Sequence, residues 1–132
     1  MFSETVTVFN YSKDSNGVKW YPTVLKNVRL QIIKNSLIEK TGISNGDSAK
    51  LFVNDISLFK QPMAWESVKS GFFTFKTSKC FFVLGEYPTT VISDSDYING
   101  YYNHMINTYD NVYRVTNCDI YNVIPHLEVG GV

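Results

Sequence analysis

The chain has 132 residues, and its twelve basic and twelve acidic side chains give a formal net charge of zero. Hydrophobic residues make up 44 % and aromatic residues 15 % of the chain, a composition that excludes disorder and supplies one domain with its own core. A neutral chain lacks the electrostatic footprint of a general nucleic-acid or membrane-surface binder. No apolar run approaches the roughly 18 residues of a membrane span, so we expect a cytosolic protein.

The first quarter of the chain predicts antiparallel strands. Residues 4–10 alternate β-forming and small side chains with the period of two that marks a strand with one buried face. An Asn-Gly pair ending at Gly17 predicts a tight reversal, followed by a return strand over residues 18–21. Pro22 has no amide donor, so we expect this strand to lie at a sheet edge or to stop there. Residues 23–33 form the clearest alternating segment.

A long polar connection follows over residues 34–47. It far exceeds the usual loop of about 4–6 residues, so we expect a loop or extended arm that is mobile or functional. Leu37, Ile38 and Ile43 interrupt its polar sequence. We take these three side chains as candidates for contact with a partner.

The middle of the chain predicts a strand over residues 49–53 and a short helix with Pro62 in its first turn. Residues 72–76 and 80–85 flank a three-residue turn and predict a hairpin. The second arm is continuously apolar. It is therefore expected to be buried on both faces, or to face a subunit partner.

The spacing between apolar residues then changes from two residues to three or four. Residues 95–107 predict one helix of about three turns, because apolar side chains recur at helical spacing after the capping residues Asp94 and Asp96. Further strands are predicted over residues 89–92, 111–116, 119–124 and 126–132. The whole chain is therefore predicted to be a single, mainly β domain, a small barrel or sandwich of about seven or eight strands with one helix.

Few residues offer catalytic or metal-binding chemistry. His104 and His126 are isolated from any metal-ligand spacing, and Cys80 and Cys118 are read as free thiols, with their proximity left open. Asp94 and Asp96 resemble a divalent-cation pair, but their position before a helix favours a capping role. We therefore expect no catalytic residue, no metal and no cofactor.

The aromatic side chains have two interpretations. The phenylalanines of the predicted hairpin could stack single-stranded bases, although a basic groove is missing and core packing is favoured. Tyrosines cluster around the predicted helix, and tyrosine is enriched at protein interfaces. Tyr101 and Tyr102 are therefore candidates for an interaction surface.

Both ends of the chain carry a family resemblance. Residues 5–11 and 20–29 (TVTVFNY and WYPTVLKNVR) resemble the start of small structural proteins of tailed phages and prophages of Gram-positive bacteria. Residues 113–116 and the ending Pro-His-Leu-Glu-Val-Gly-Gly over 125–131 resemble the close of one such unnamed group. Leu127 departs from the aromatic residue usual there.

These relatives are similar to head-completion or stopper proteins, which join the portal vertex to the tail. The resemblance implies a non-enzymatic β-barrel that assembles as a homo-oligomeric ring between portal or adaptor and tail proteins, with DNA as passing cargo. Because connector proteins commonly assemble only on their template, the resemblance leaves open whether the chain is a monomer in solution. It implies the host cytoplasm before assembly and the virion afterwards. On this interpretation residues 34–47 would face the DNA channel or an adjacent ring. The alternatives are a tail terminator, another minor tail or capsid protein, an oligonucleotide-binding barrel and, least favoured, an enzyme.

Overall fold

The computed structural model describes residues 2–33 and 48–132, and seven strands and two short α-helices lie within these ranges. The strands are β1 (Glu4–Asp14), β2 (Gly17–Ile33), β3 (Ser48–Val53), β4 (Phe81–Leu84), β5 (Ile92–Ser93), β6 (Val112–Tyr121) and β7 (His126–Gly131). The helices are α1 (Pro62–Val68) and α2 (Tyr101–Thr108), and a 3-10 turn (Asp94–Asp96) precedes α2. Neither described α-helix is long and apolar enough to cross a membrane.

Six strands close into an antiparallel barrel. Their order is β1-β4-β6-β7-β3-β2, pairing of β1 with β2 completes the circle, and β5 adds to the outer side of β2. The prediction of a mainly β barrel with about seven strands is therefore confirmed. Closure satisfies backbone hydrogen bonds around the circle and removes most exposed edges.

The long strand β2 shapes the barrel because it belongs to two halves of it. Its first part pairs with β1 as far as Val28, and its last five residues pair with β3. A register shift lies opposite Asn27, whose φ of 58° lets the strand bend there. Of the two alternatives predicted for Pro22, the edge position is confirmed and the end of the strand is not. Pro22 opposes Phe9 in a stretch where the described residues pair β2 with β1 alone, so its missing donor costs no ladder bond on the open side.

Two apolar cores lie on opposite sides of the barrel wall. The interior core includes Val6, Val8, Leu51, Phe82 and Leu127, together with side chains from the other barrel strands. The second core lies outside the wall, beneath α2 and β5, and consists of Phe9, Trp20, Phe81, Val83, Tyr101 and Met105. The continuous apolar run of β4 therefore serves both cores, which confirms burial on both faces.

Two predicted elements are corrected. Residues 72–76 do not form a hairpin arm. Phe73 makes only an isolated parallel bridge to Phe59, and β4 pairs with the distant strands β1 and β6. The helix predicted over 95–107 begins six residues later, at Tyr101, because positive φ angles at Asn99 and Gly100 interrupt the helical path. The predicted loop over residues 34–47 lies outside the described residues.

Candidate functional site

The turn between β6 and β7 exposes large apolar side chains. Val123 is 98 % and Ile124 is 74 % exposed, and Ile120 and Tyr121 at the adjoining end of β6 are partly exposed. Burying such side chains is the main source of free energy in protein association, and a cluster of them on a surface marks a site of contact. The segment 120–126 is called the apolar turn below.

His126 holds the apolar turn in place through three contacts. Its Nδ1 lies 2.7 Å from the carbonyl oxygen of Ile124, and its Nε2 lies 3.0 Å from Oε2 of Glu128. Its ring stacks on Tyr121 with centroids 4.7 Å apart and an interplanar angle of 6°. The turn is therefore clamped across its base and presents Val123 and Ile124 in a defined geometry.

These contacts favour the protonated form of His126. Both ring nitrogens face an acceptor, a carbonyl oxygen and a carboxylate, and only the imidazolium donates from both nitrogens at once. The hydrogen bond to Glu128, followed by that to Ile124, raises the pKa of His126 above its ordinary value. The same bond, assisted by Lys50 at 3.5 Å, lowers the pKa of Glu128.

The candidate histidines of the sequence fall in different places. His126 does meet an acidic residue, and both of its ring nitrogens are engaged within the chain. His104 packs its ring on Tyr97 at 4.7 Å and lines an open depression of about 440 Å³ together with Asp96. The two histidines are not brought into one site, and we assign His126 a structural role.

The predicted capping role of Asp94 and Asp96 is met only in part, because Gly100 occupies the N-cap position of α2 and Asp94 binds the start of this helix from six residues before Gly100. Oδ1 of Asp94 accepts the amide of Tyr101 at 2.8 Å, at the start of α2, and also the indole Nε1 of Trp20 at 2.9 Å. Asp96 is exposed. Among the described residues, no group of three or more His, Cys, Asp or Glu side chains could hold a metal ion.

The two cysteines are free thiols, as expected. Cys80 is buried in the barrel interior, and burial raises its pKa. Burial also raises the pKa of the partly buried Cys118 to about 11. Both shifts disfavour the thiolate, which is the reactive form of cysteine.

The five residues proposed for interaction separate into three groups. Leu37, Ile38 and Ile43 lie outside the described residues. Tyr101 is 6 % exposed and belongs to the second core, so its side chain is taken up by the fold itself. Tyr102 is half-buried, with the Arg114 guanidinium 3.9 Å from its ring centroid, and of the two tyrosines only it reaches the surface.

Sequence reasoning missed the apolar turn because residues 119–124 alternate like a strand. The strand ends at Tyr121, and residues 122–125 form the turn. Pro125 is the signal that could have indicated it, since proline has no amide donor for a strand ladder, and Asn122 three residues earlier is also a residue that favours turns. Exposure of Val123 and Ile124 depends on that boundary and not on the side-chain pattern.

Comparison with known proteins assigns the chain to a family. A family model described as "Family of unknown function (DUF6751)" matches residues 1–132, so the chain belongs to this family. No curated protein and no solved structure matches the chain.

Proposed function

We propose that this member of the DUF6751 family is a non-enzymatic structural protein of the head-to-tail junction of a tailed phage or prophage. It acts as a head-completion or stopper-like connector that assembles as a ring between portal and tail. It is made in the cytoplasm of the bacterial host and passes into the virion on assembly. The proposal rests on the resemblance at the two ends of the chain, and one structural observation favours it.

That observation is the clamped apolar turn on a closed barrel. An enzyme keeps its side-chain chemistry in a pocket, whereas this chain presents Val123 and Ile124 outward on a turn braced by His126. A braced apolar projection loses little conformational entropy when a partner buries it. It therefore suits docking onto a neighbouring protein of an assembly, and we take the apolar turn as the contact with the adjacent ring.

A second candidate, oligonucleotide binding, is favoured by Phe52 on the outside of the barrel. The Arg29 guanidinium and the Lys50 ammonium each lie 5.9 Å from its ring centroid, an arrangement that single-stranded bases can use. Glu128 lies directly beside Phe52 on the neighbouring strand. Its carboxylate would repel the phosphate backbone of a nucleic acid bound there. Binding of single-stranded DNA that weakens steeply with salt would support this rival, and no binding would remove it.

The test of the proposed function mixes the purified chain with DNA-filled capsids that carry a portal, and separately with isolated tails. Electron microscopy is expected to show a ring at the portal vertex. The double variant Val123→Ser, Ile124→Ser is expected to lose this ring, whereas Ile98→Ser should keep it. Ile98 is a matched control because it is equally apolar and 90 % exposed, but lies beside α2.

The other outcomes are equally informative. Binding to tails instead of capsids would favour the tail terminator. Binding to neither would overturn a role at the junction. A ring that still forms when both His104 and His126 are replaced by glutamine would argue against an enzymatic role.

A further inference from the structure

Four side chains form one row across the outside of the barrel. The register pairs Arg29 with Phe52, Phe52 with Glu128 and Glu128 with Asp119, so the row crosses β2, β3, β7 and β6. All four point outward, because the residues before and after them on β3 and β7 are buried in the interior core. Three strand spacings of about 4.8 Å separate the ends of the row by about 14 Å.

The row is charged with opposite sign at its two ends. Arg29 lies at the β2 end, and the carboxylates of Glu128 and Asp119 lie next to each other at the β6 end. Like charges in directly opposed cross-strand positions are unfavourable. Lys50 at 3.5 Å and His126 at 3.0 Å compensate Glu128.

The charges at the two ends of the row, on Asp119 and Arg29, are not neutralised in this way by the described residues. Asp119 accepts a hydrogen bond from Asn117 Nδ2 at 3.3 Å, and Arg29 lies over Phe52. Both are exposed, and neither forms an ion pair with another residue of the described ranges.

The two ends also coincide with open strand edges. Residues 29–33 of β2 pair with β3 and residues 117–121 of β6 pair with β7, and on their other sides the described chain provides no strand. Successive strands in this half of the barrel are antiparallel, so β2 and β6 run in opposite directions. When one copy stands beside another in the same orientation, β6 of the first therefore meets β2 of the second as an antiparallel neighbour.

We infer that a second copy of this chain docks at this edge, with Asp119 of one copy facing Arg29 of the next. The occupant is a second copy for two reasons. The β2 edge carries a positive charge and the β6 edge carries negative charges, so the two edges attract each other. In addition, β6 of one copy is antiparallel to β2 of the next when both copies have the same orientation. The contact is heterologous, so it repeats from copy to copy and closes into a ring when the rotation per copy permits. This inference rests on the proposed function and specifies which surface builds the ring.

The open edge of β2 is partly protected, which limits association through the backbone alone. The amide of Leu30 donates to Oε1 of Glu4 at 2.7 Å, so one outward donor of this edge is satisfied within the chain. Edge protection of this kind prevents indiscriminate strand pairing. Specificity then depends on the charged pair, which also makes the association sensitive to salt.

A charge-reversal cycle tests the inference. Sedimentation velocity over a range of protein concentrations is expected to show self-association of the full chain at low salt. Arg29→Asp and Asp119→Arg should each weaken it by about tenfold or more, and the double variant should restore it. An equimolar mixture of the two single variants should associate as heterologous pairs. Lys26→Asp is the matched control, because Lys26 is exposed on β2 outside this row, and it should leave association unchanged.

Each result of these experiments either supports or overturns the proposed interface. Association that is unchanged in both single variants, or that the double variant does not restore although circular dichroism shows it folded, overturns the inference. So does a wild-type chain that remains monomeric in solution and on the vertex. If the single charge-reversal variants still form the ring at the portal, the proposed function stands but this interface does not. Rescued self-association without vertex binding would instead keep the interface and remove the junction role.

Discussion

Trp20 Nε1 donates a hydrogen bond to Asp94 Oδ1 at 2.9 Å, and the same oxygen accepts the Tyr101 amide at 2.8 Å. One carboxylate therefore joins strand β2 to the first residue of α2. Trp20 is 4 % exposed, so its indole donor has little access to water as a replacement partner. This junction fixes α2 over the second core and keeps that face of the barrel closed.

Asp94→Ala is expected to lower the free energy of unfolding by about 1–3 kcal/mol or more, because it leaves a buried indole donor and a helix-terminal amide without an acceptor. Urea denaturation followed by tryptophan fluorescence measures the change. Asp96→Ala is the matched control in the same 3-10 turn. Asp96 is exposed, so its substitution should change the value by no more than about 0.5 kcal/mol. Equal effects of the two substitutions would contradict this account.

Adjacent glycines at the end of β7 are expected to differ in their tolerance of a side chain. A Cβ at Gly131 would lie 2.9 Å from both Phe82 Cζ and Tyr113 Cβ, whereas one at Gly130 would meet the side chain of exposed Asn117. Gly131→Ala therefore overpacks the interior core and is expected to lower the free energy of unfolding by about 1–3 kcal/mol. Gly130→Ala should cost less, since Asn117 can move aside. Chemical denaturation measures the free energy of unfolding of both variants. A larger decrease for Gly130→Ala than for Gly131→Ala would refute the prediction.

The clamp of the apolar turn is expected to respond to pH. The pKa of His126 is raised above its ordinary value of 6.5, so its stabilising contribution is full below pH 6.5 and is lost as pH rises through the folded-state pKa. The pKa of Glu128 is lowered from 4.5, so its contribution is present above pH 4.5 and is lost as pH falls through its folded-state pKa. The pair therefore stabilises the turn most between these two ordinary values.

Nuclear magnetic resonance measures this response directly. The imidazole resonances of His126 should titrate with a midpoint above 6.5, and Glu128→Gln should move that midpoint down toward the ordinary value. A His126 midpoint that does not change in the Glu128→Gln variant would show that the 3.0 Å contact does not hold the proton.

The apolar turn should be dispensable for folding. Val123 is 98 % exposed and Leu127, four residues later, is fully buried. Val123→Ser is therefore expected to change the free energy of unfolding by no more than about 0.5 kcal/mol, whereas Leu127→Ala should cost about 2–5 kcal/mol. Thermal and urea unfolding compare the two variants. Substantial destabilisation by Val123→Ser would mean that the turn serves the fold, and that loss of vertex binding could not be attributed to a partner.

Local patterns were sufficient for much of the architecture. The alternation in residues 4–10 and 23–33 predicted β1 and most of β2, because side chains of a strand point to opposite faces and one face must be buried. The continuous apolar run of β4 predicted burial on two faces, and both cores confirm it. The type of Asp94 and the helical spacing after it predicted a cap, and Asp94 does accept the Tyr101 amide, although Gly100 holds the N-cap position.

Non-local pairing decided the rest. The apolar sequence of residues 72–76 resembles a hairpin arm, but β4 finds its partners on β1 and β6, and no local signal encodes a partner so far along the chain. Likewise, the positions of Arg29 and Asp119 in the sequence do not place them at opposite ends of one row. Register and barrel closure do so, since they set which side chains become neighbours across strands. The sequence by itself determined most of the strand segments, β1 and β2 among them, and which of their faces are apolar. The tertiary structure alone decided that Val123 and Ile124 project into solvent and that complementary charges lie on two open edges, because both depend on where strands end and what they pair with.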